Sequence, residues 1–368
     1  MQVPVAESTS ESQSWDTDAF SAEEQWLPLE MDMANLDLPE EQPTEDAGWG
    51  LPDQVAGELI GNFFDNVQTW LGFVHRPTFY RRYMRCAGQQ ATLIGRPTLS
   101  DDESFMIYAM FAMAARFSTS EHFTRTPIHD RGERFANHAA TIKDSIIKTV
   151  EEPSLEFVQG CVMLAFYNFA AGQFGPGVVL SSVCVRFAYE LCLDETDEDQ
   201  LDEEGLAIID MPHENAESWL KKEEKRRLWW SIWELDTFAS TCSFHPFNIE
   251  RAEMKVLLPA PNHNWHCSIP ARTAFIGPPE SAWNSLQKSP GQSTRAWFLV
   301  ANYLKSTIIF QSRRSFRHGT ISRCRLETAL CNLKLSLPDA FHLRSLYLDA
   351  DNHQDAMWVI ATHLMIMT

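Results

Sequence analysis

The stretch Glu224-Lys225-Arg226-Arg227-Leu228-Trp229-Trp230-Ser231-Ile232-Trp233-Glu234-Leu235-Asp236-Thr237-Phe238-Ala239-Ser240 decides how this chain is read, because it runs as one helix and sets a carboxylate among tryptophans. At 3.6 residues per turn, Trp229, Ile232, Trp233, Asp236 and Ser240 share a face. An ionised side chain in that setting costs several kcal/mol unless it is partnered. Asp236 is therefore expected to meet an arginine or several hydrogen-bond donors from another segment. The alternative is an acid that reaches solvent at the rim of the helix.

Working outward, two further stretches stand on either side. Phe73-Val74-His75-Arg76-Pro77-Thr78-Phe79 lies far upstream, and His245-Pro246-Phe247-Asn248-Ile249 leads into Val256-Leu257-Leu258-Pro259 just downstream. Taken with Arg226-Arg227-Leu228-Trp229-Trp230 and Leu235-Asp236, this ordered set resembles the fungal-specific transcription factor domain, the middle homology region of zinc-cluster fungal regulators. The resemblance runs from about Val55 to the C-terminus. It implies structural and signal-transmitting roles, with no chemistry, for His75, Arg76, Pro77, Phe79, Arg226, Arg227, Trp229, Trp230, Asp236 and Pro246. It also implies a nuclear protein with no cofactor, whose partners are other transcription regulators or the transcription machinery, as a homo- or heterodimer. Family members usually recognise DNA through six cysteines that hold two zinc ions. These 368 residues contain no Cys-x-x-Cys pair, so DNA is expected to be met only indirectly.

Composition agrees with a folded body behind an acidic arm. The net charge is -20, and residues 1–75 hold sixteen Asp and Glu with no Lys or Arg, leaving 34 acids against 30 bases in the rest. Such an arm repels phosphates, whose neutralisation is the main source of nonspecific DNA affinity. The eight cysteines, at 86, 161, 184, 192, 242, 267, 324 and 331, mostly lie in apolar helical patterns. They read as small buried hydrophobes in a reducing, intracellular compartment. The longest apolar runs, Phe105 to Ala115 and Ala356 to Thr368, are shorter than the roughly 20 residues a membrane helix needs.

Residues 1–53 show no helical or alternating period and are expected to be disordered, with prolines scattered among acids. Trp15, Phe20 and Trp26 stand among those acids as candidate activation contacts; the plainer reading is a solubilising tail. From 54 to 368 the pattern predicts an all-α, irregular multi-helix domain. Val55, Leu59, Phe63, Val67 and Trp70 recur at helical spacing, Gly72 and Pro77 break it, and a helix through Tyr83 is followed by a Gly-containing loop to Leu99. Further helices are expected over 105–117, 127–150, 154–170, 177–192, 293–313, 321–335 and 351–367. Gly172, Gly175 and Gly177 are placed in a helix-helix turn, and an acidic loop spans 194–204. The last apolar helix runs to Thr368 in mid-pattern, which suggests a shortened product or an exposed patch that favours self-association.

Ser100-Asp101-Asp102-Glu103 offers two readings. An Asp-rich magnesium motif of the terpene or prenyl type would want a further acid where Phe105 stands, and no second metal motif follows. Ser-x-x-Glu before an apolar run is instead a capping box. His263, His266 and Cys267, with His245 nearby, lack a carboxylate at ligand spacing, so no metal site is assigned. Lys221 to Arg227 reads as an import patch or, with more weight, as a helix head whose arginines pair with the 194–204 acids. No nucleophile elbow, phosphate loop or catalytic carboxylate pair is present, so no enzyme is expected. The function read here is that of a fungal, pathway-specific transcription regulator. The alternatives are a non-DNA-binding partner or inhibitor of full-length zinc-cluster regulators and, more remotely, a helical prenyl or terpene-type enzyme.

Overall fold

A computed structural model describes residues 48–87, 90–202, 207–208, 215–287, 289, 291–314, 323–346 and 353–367. The acidic arm as far as residue 47, with Trp15, Phe20 and Trp26, lies outside the described residues, as do parts of the 194–204 loop.

Two nearly all-buried helices centre the first half of the fold. The helix α1 (Asp53–Asn62) continues through a wider turn at Phe63–Val67, and α2 (Arg76–Tyr83) follows the Gly72 break. Next comes α3 (Asp101–Ala114), apolar on every side and buried from Ser104 to Ala112, as a helix enclosed by α1, α4 (Glu133–Ile147) and α5 (Leu155–Ala170) must be. The helix α5 is buried from Phe157 to Ala165 and carries α6 (Phe174–Glu190) on its other side. The long helix α7 (Ala216–Ser243) packs on α5 and α6 and also touches α9 (Thr294–Arg314). An irregular stretch holding the short α8 (Asn262–His266) leads to α9, on which α10 (Arg323–Ser336) and α11 (His353–Met367) pack.

The capping box forms as read. Glu103 N donates to Ser100 Oγ at 3.3 Å and Ser100 N to Glu103 Oε2 at 2.9 Å. The other Glu103 oxygen takes Arg82 Nη2 at 2.6 Å and Tyr83 Oη at 3.2 Å, and Asp102 accepts from Ser154 Oγ at 2.5 Å. Two of the acids that the magnesium reading needs are thus engaged in helix caps and an ion pair.

Five local expectations are corrected. The cysteines read as buried hydrophobes are so only at Cys161 and Cys184, whereas Cys192, Cys242, Cys267, Cys324 and Cys331 are exposed. Trp49, placed in the arm, is 3% exposed; its indole donates to Ile94 O at 3.0 Å and meets Tyr108 and Phe111 edge-on, so the body begins before position 53. The loop after Tyr83 holds an antiparallel hairpin, β1 (Met84–Ala87) and β2 (Gln90–Leu93), with Met84 opposite Leu93 and both buried. Four-residue strands are too short to show a period of two. The helix expected from 127 starts only at Glu133, because Arg131 turns back to bond Ser118 O at 2.7 Å and Thr126 O at 3.2 Å. Finally, Gly172, at φ +75°, makes the turn, but Gly175 and Gly177 lie inside α6. A Cβ on Gly177 would come within 2.8 Å of the Phe169 ring, so its bareness serves helix packing.

Candidate functional site

The inward face of α7 is where the ordered motifs meet. Trp229, Trp230, Ile232 and Trp233 are fully buried, and the Trp230 indole donates to Leu257 O at 2.7 Å. Asp236 is 1% exposed. It accepts from Asn248 N at 3.1 Å through each oxygen, from Ile249 N at 3.2 Å, from Asn248 Nδ2 at 2.8 Å and from Ser240 Oγ at 3.4 Å. Of the two partners expected for it, the cluster of donors is the one found. Pro246 is exposed and holds this loop through its carbonyl, which accepts from Ser240 Oγ at 3.1 Å. Asp236→Ala would leave two backbone N–H groups without an acceptor, an expected loss of about 2–4 kcal/mol in urea unfolding. Asp236→Asn, which keeps one oxygen, should lose about half of that; equal losses would mean that the carboxylate's hydrogen bonds are not what matters.

Nearly three turns before Asp236 the same helix carries a buried ionic chain. Arg226 grips Asp197 with two parallel bonds, Nε to Oδ2 at 2.8 Å and Nη2 to Oδ1 at 2.7 Å, and reaches Glu223 at 3.3 Å. Asp197 also takes Leu257 N at 2.9 Å. Glu223 Oε1 accepts from Arg227 Nε at 2.8 Å and from Ala260 N at 2.9 Å. Arg227 then donates to Ala260 O at 2.7 Å, Asn262 Oδ1 at 3.2 Å and Gly72 O at 3.3 Å, and its guanidinium lies over the Trp265 ring. Burial works against both charges. For Arg226 the Asp197 and Glu223 carboxylates more than offset it and raise the pKa, whereas Arg227 is lowered to about 10. The expected pairing of Arg226 with the acidic loop is present; Arg227 turns instead to its own helix and to carbonyls.

The upstream motif docks on this chain. His75 caps α2, sits 2% exposed, meets Trp265 edge-on at 4.7 Å and shares a 2.8 Å bond between Nδ1 and Thr78 Oγ1. Burial pushes its pKa down to about 4, with Arg227 adding to the effect against backbone hydrogen bonding at Trp265. Arg76 points outward to Asp65 at 2.9 Å and stacks on Tyr80, Pro77 lies in the first turn of α2, and Phe79 is in the core.

The structure adds partners that sequence reasoning did not single out. Glu223, Asp197 and Trp265 complete the ionic chain. Arg295 bonds Ser231 Oγ and Glu234 Oε2, each at 2.9 Å, while Arg251 bonds Thr237 Oγ1 at 2.7 Å and Ser306 Oγ at 2.8 Å and lies over Trp233. A signal existed for Glu223, which stands three and four residues before the arginines on one helix; nothing local marks Arg251 or Arg295. Of the basic run, Lys221 pairs with Glu217 at 2.7 Å and Lys222 with Asp199 at 2.6 Å. His263 meets Cys267 at 3.8 Å and His245 is exposed; among the described residues no group of three or more His, Cys, Asp or Glu could hold a metal. The arrangement joins the Gly72–His75 turn, the 197 loop, α7 and the 256–265 segment through buried charge.

Known proteins carry the same domain. The chain is 24% identical over 239 residues to the Tropolone cluster transcription factor tropK of Talaromyces stipitatus, covering 65% of this chain and 38% of that protein. It is 24% identical over 214 residues to the Pigment biosynthesis transcriptional activator pigB of Monascus ruber, covering 58% and 35%. It is 25% identical over 210 residues to the Zn(2)-C6 fungal-type transcription factor FTF1c of Fusarium oxysporum f. sp. lycopersici, covering 56% and 20%. The chain thus spans less than two fifths of these relatives' lengths. No solved structure matches it. These relatives are transcription factors and not enzymes, and the family described as "Fungal specific transcription factor domain" matches residues 60–307, across the whole buried junction. By that match the chain belongs to the fungal specific transcription factor domain family.

Proposed function

We propose that this chain is the regulatory module of a pathway-specific fungal transcription regulator that works in the nucleus on a biosynthetic gene set. The observation that carries the reading is that the family motifs are spent on a buried, charge-matched interlock, Asp197–Arg226–Glu223–Arg227, and not on an open reactive centre. Such an interlock couples segments distant in sequence, as a module that passes on a signal requires. The gene-set assignment is supported by the names of relatives, a tropolone cluster factor and a pigment biosynthesis activator. In this reading the arm with Trp15, Phe20 and Trp26 touches the transcription machinery.

A second reading, supported by a net charge of -20 that works against contact with phosphates, is a partner that reaches DNA through a zinc-cluster protein. The whole chain fused to a foreign DNA-binding module should raise a reporter, and residues 1–53 fused alone should retain much of that effect. A silent whole-chain fusion would rule out the activator. Recovery of the unfused chain on promoter DNA only when a zinc-cluster regulator is present would select the second reading.

A further inference from the structure

Two serine or threonine residues in this sequence stand before a proline, Thr126 in Arg125-Thr126-Pro127 and Ser289 in Lys288-Ser289-Pro290. The fold treats them oppositely. Ser289 is 9% exposed and its Oγ is sealed in without a partner, so a protein-sized catalyst cannot reach it. Thr126 lies in the irregular 118–132 segment between α3 and α4, where it is part-exposed and Thr124, Arg125, Pro127 and Ile128 are all exposed. Its backbone is bonded, N to Phe123 O at 2.9 Å and O from Arg131 Nε at 3.2 Å, whereas among the described residues its hydroxyl bonds nothing. A residue before proline is held toward extended backbone, the shape that an active-site groove reads in a substrate chain.

Thr126 lines a hollow of about 330 Å³ together with two basic residues, Arg131 and Arg134, two acidic ones, Asp130 and Glu133, and His122. Among the described residues neither guanidinium is in an ion pair. Arg131 donates to two carbonyls, Thr126 O at 3.2 Å and Ser118 O at 2.7 Å, which leaves most of its fork unused. Arg134 meets His122 Nε2 at 3.0 Å and lies over the Phe135 ring. Burial and Arg134 both lower the His122 pKa, so that ring stays neutral. The acids are occupied elsewhere: Asp130 lies 3.4 Å from His129 Nε2, and after burial it is Glu133 and Asp130 that raise the pKa of the Tyr167 hydroxyl. A free hydroxyl thus shares one concavity with two guanidiniums that no carboxylate has claimed.

We propose that Thr126 is a phosphorylation site for a proline-directed kinase, and that Arg131 and Arg134 hold the phosphoryl group it receives. The Thr126 hydroxyl oxygen attacks the γ-phosphorus of ATP, the bond from that phosphorus to the bridging oxygen breaks, ADP leaves with the electron pair, and the hydroxyl proton passes to the kinase. Residue 126 thereby gains close to two negative charges and three strong acceptor oxygens. Arg131 already bonds the carbonyl of the same residue, so the new oxygens fall within reach of its unused donors. Guanidinium–phosphate bonds are about twice as strong as neutral ones. Here they tie residue 126 to Arg131 and to the first turn of α4, which carries Arg134. Asp130 and Glu133 oppose this by repulsion, and the balance is read directly from the ionisation of the phosphate. The modification stands apart from the transcriptional reading, since it is measured on the purified chain without a reporter.

The full chain is incubated with ATP and a mitogen-activated protein kinase, and its digest is read by mass spectrometry. One phosphoryl group should appear on Thr126 and none on Ser289, and Thr126→Val and Pro127→Ala should incorporate none. Phosphorus NMR of the modified chain should then show the phosphate titrating near pH 5, against about 6 for the same chain in concentrated urea. Arg134→Gln, at an exposed position, should return that value roughly halfway to 6. Circular dichroism checks folding, and Thr126→Val, which removes a hydroxyl that bonds nothing, still decides the matter if Pro127→Ala does not fold. An unmodified Thr126, or label on Ser289 in the folded chain, overturns the site. A phosphate that titrates at or above its value in urea, or one indifferent to Arg134→Gln, overturns the part given to the arginines and with it the proposal.

Discussion

Arg226→Met is expected to destabilise the domain by about 3–5 kcal/mol, as removal of one member of a buried pair does when the other is left charged. Asp197 is fully buried and would lose both of its guanidinium bonds, keeping only Leu257 N and the Gln200 amide. Methionine fills much of the volume, so packing loss is a minor part of the change. The double variant Arg226→Met with Asp197→Asn removes both charges and should recover roughly half of the loss, since a matched removal avoids the orphaned carboxylate. Urea melts of the four proteins in the cycle give the coupling energy. As a yardstick, Lys221→Ala breaks an exposed pair with Glu217, and such pairs are worth about 0–1 kcal/mol. A loss for Arg226→Met no larger than that for Lys221→Ala would show that the interlock is not what holds these segments together.

How much of this was legible in the sequence depends on the range of the cause. The burial of Trp229, Ile232, Trp233 and Ser240 on α7, the capping box at Ser100 and Glu103, and the need of Asp236 for partners are set by spacing within a few residues, and each is found, although α7 is buried on every side from Arg226 to Trp233. The hairpin at 84–93 escaped because its strands are four residues long and Met84 and Leu93 show their shared side only once paired. Trp49 was misassigned because the acids around it set the local composition, while the burial of its ring is decided by Tyr108 and Phe111, some sixty residues away. The same holds for the site. Sequence supplied the arginines and pointed to the acidic loop, but Arg251 on Thr237 and Ser306, and Trp265 between His75 and Arg227, arise only from the fold. Six of the buried charges come in matched sets for a reason that no single segment reveals, while Asp236, Arg251 and Glu224 are held by neutral groups. An unpaired ion in the interior is far costlier than a paired one, so Arg226 and Arg227 with Asp197 and Glu223, and Arg295 with Glu234, had to be assembled together.

Acidification should unfold the domain through His75 and His266. Both have pKa values lowered from 6.5 to about 4, burial being the largest cause for each and Arg227 contributing to both. The native state therefore binds fewer protons than the unfolded chain between these values, so stability is complete above about 6.5 and is lost as pH falls toward 4. Glu224 acts in the opposite sense: its pKa is raised from 4.5 to about 7, chiefly by burial against a single amide bond from Gln159, so its contribution falls as pH rises across that window. Two histidines against one carboxyl leave a net loss on acidification between 4.5 and 6.5. That loss steepens below 4.5, where Glu224 no longer differs between the two states. The cleanest reading is a difference. His75→Phe keeps an aromatic edge against Trp265 and gives up the bond to Thr78 and the backbone hydrogen bonding at Trp265, which costs about 1–2 kcal/mol near neutrality. From pH 6.5 down to 4 the variant should gain on the parent by roughly 1.4 kcal/mol per pH unit, about 3 kcal/mol in all, because one proton fewer must be taken up on unfolding. The variant, weaker at pH 7, thus becomes the more stable protein near pH 5. Urea melts through that range should show the two stability curves crossing; parallel curves would mean that His75 takes up its proton in the folded state and that its contact with Trp265 and Arg227 does not exclude the charge.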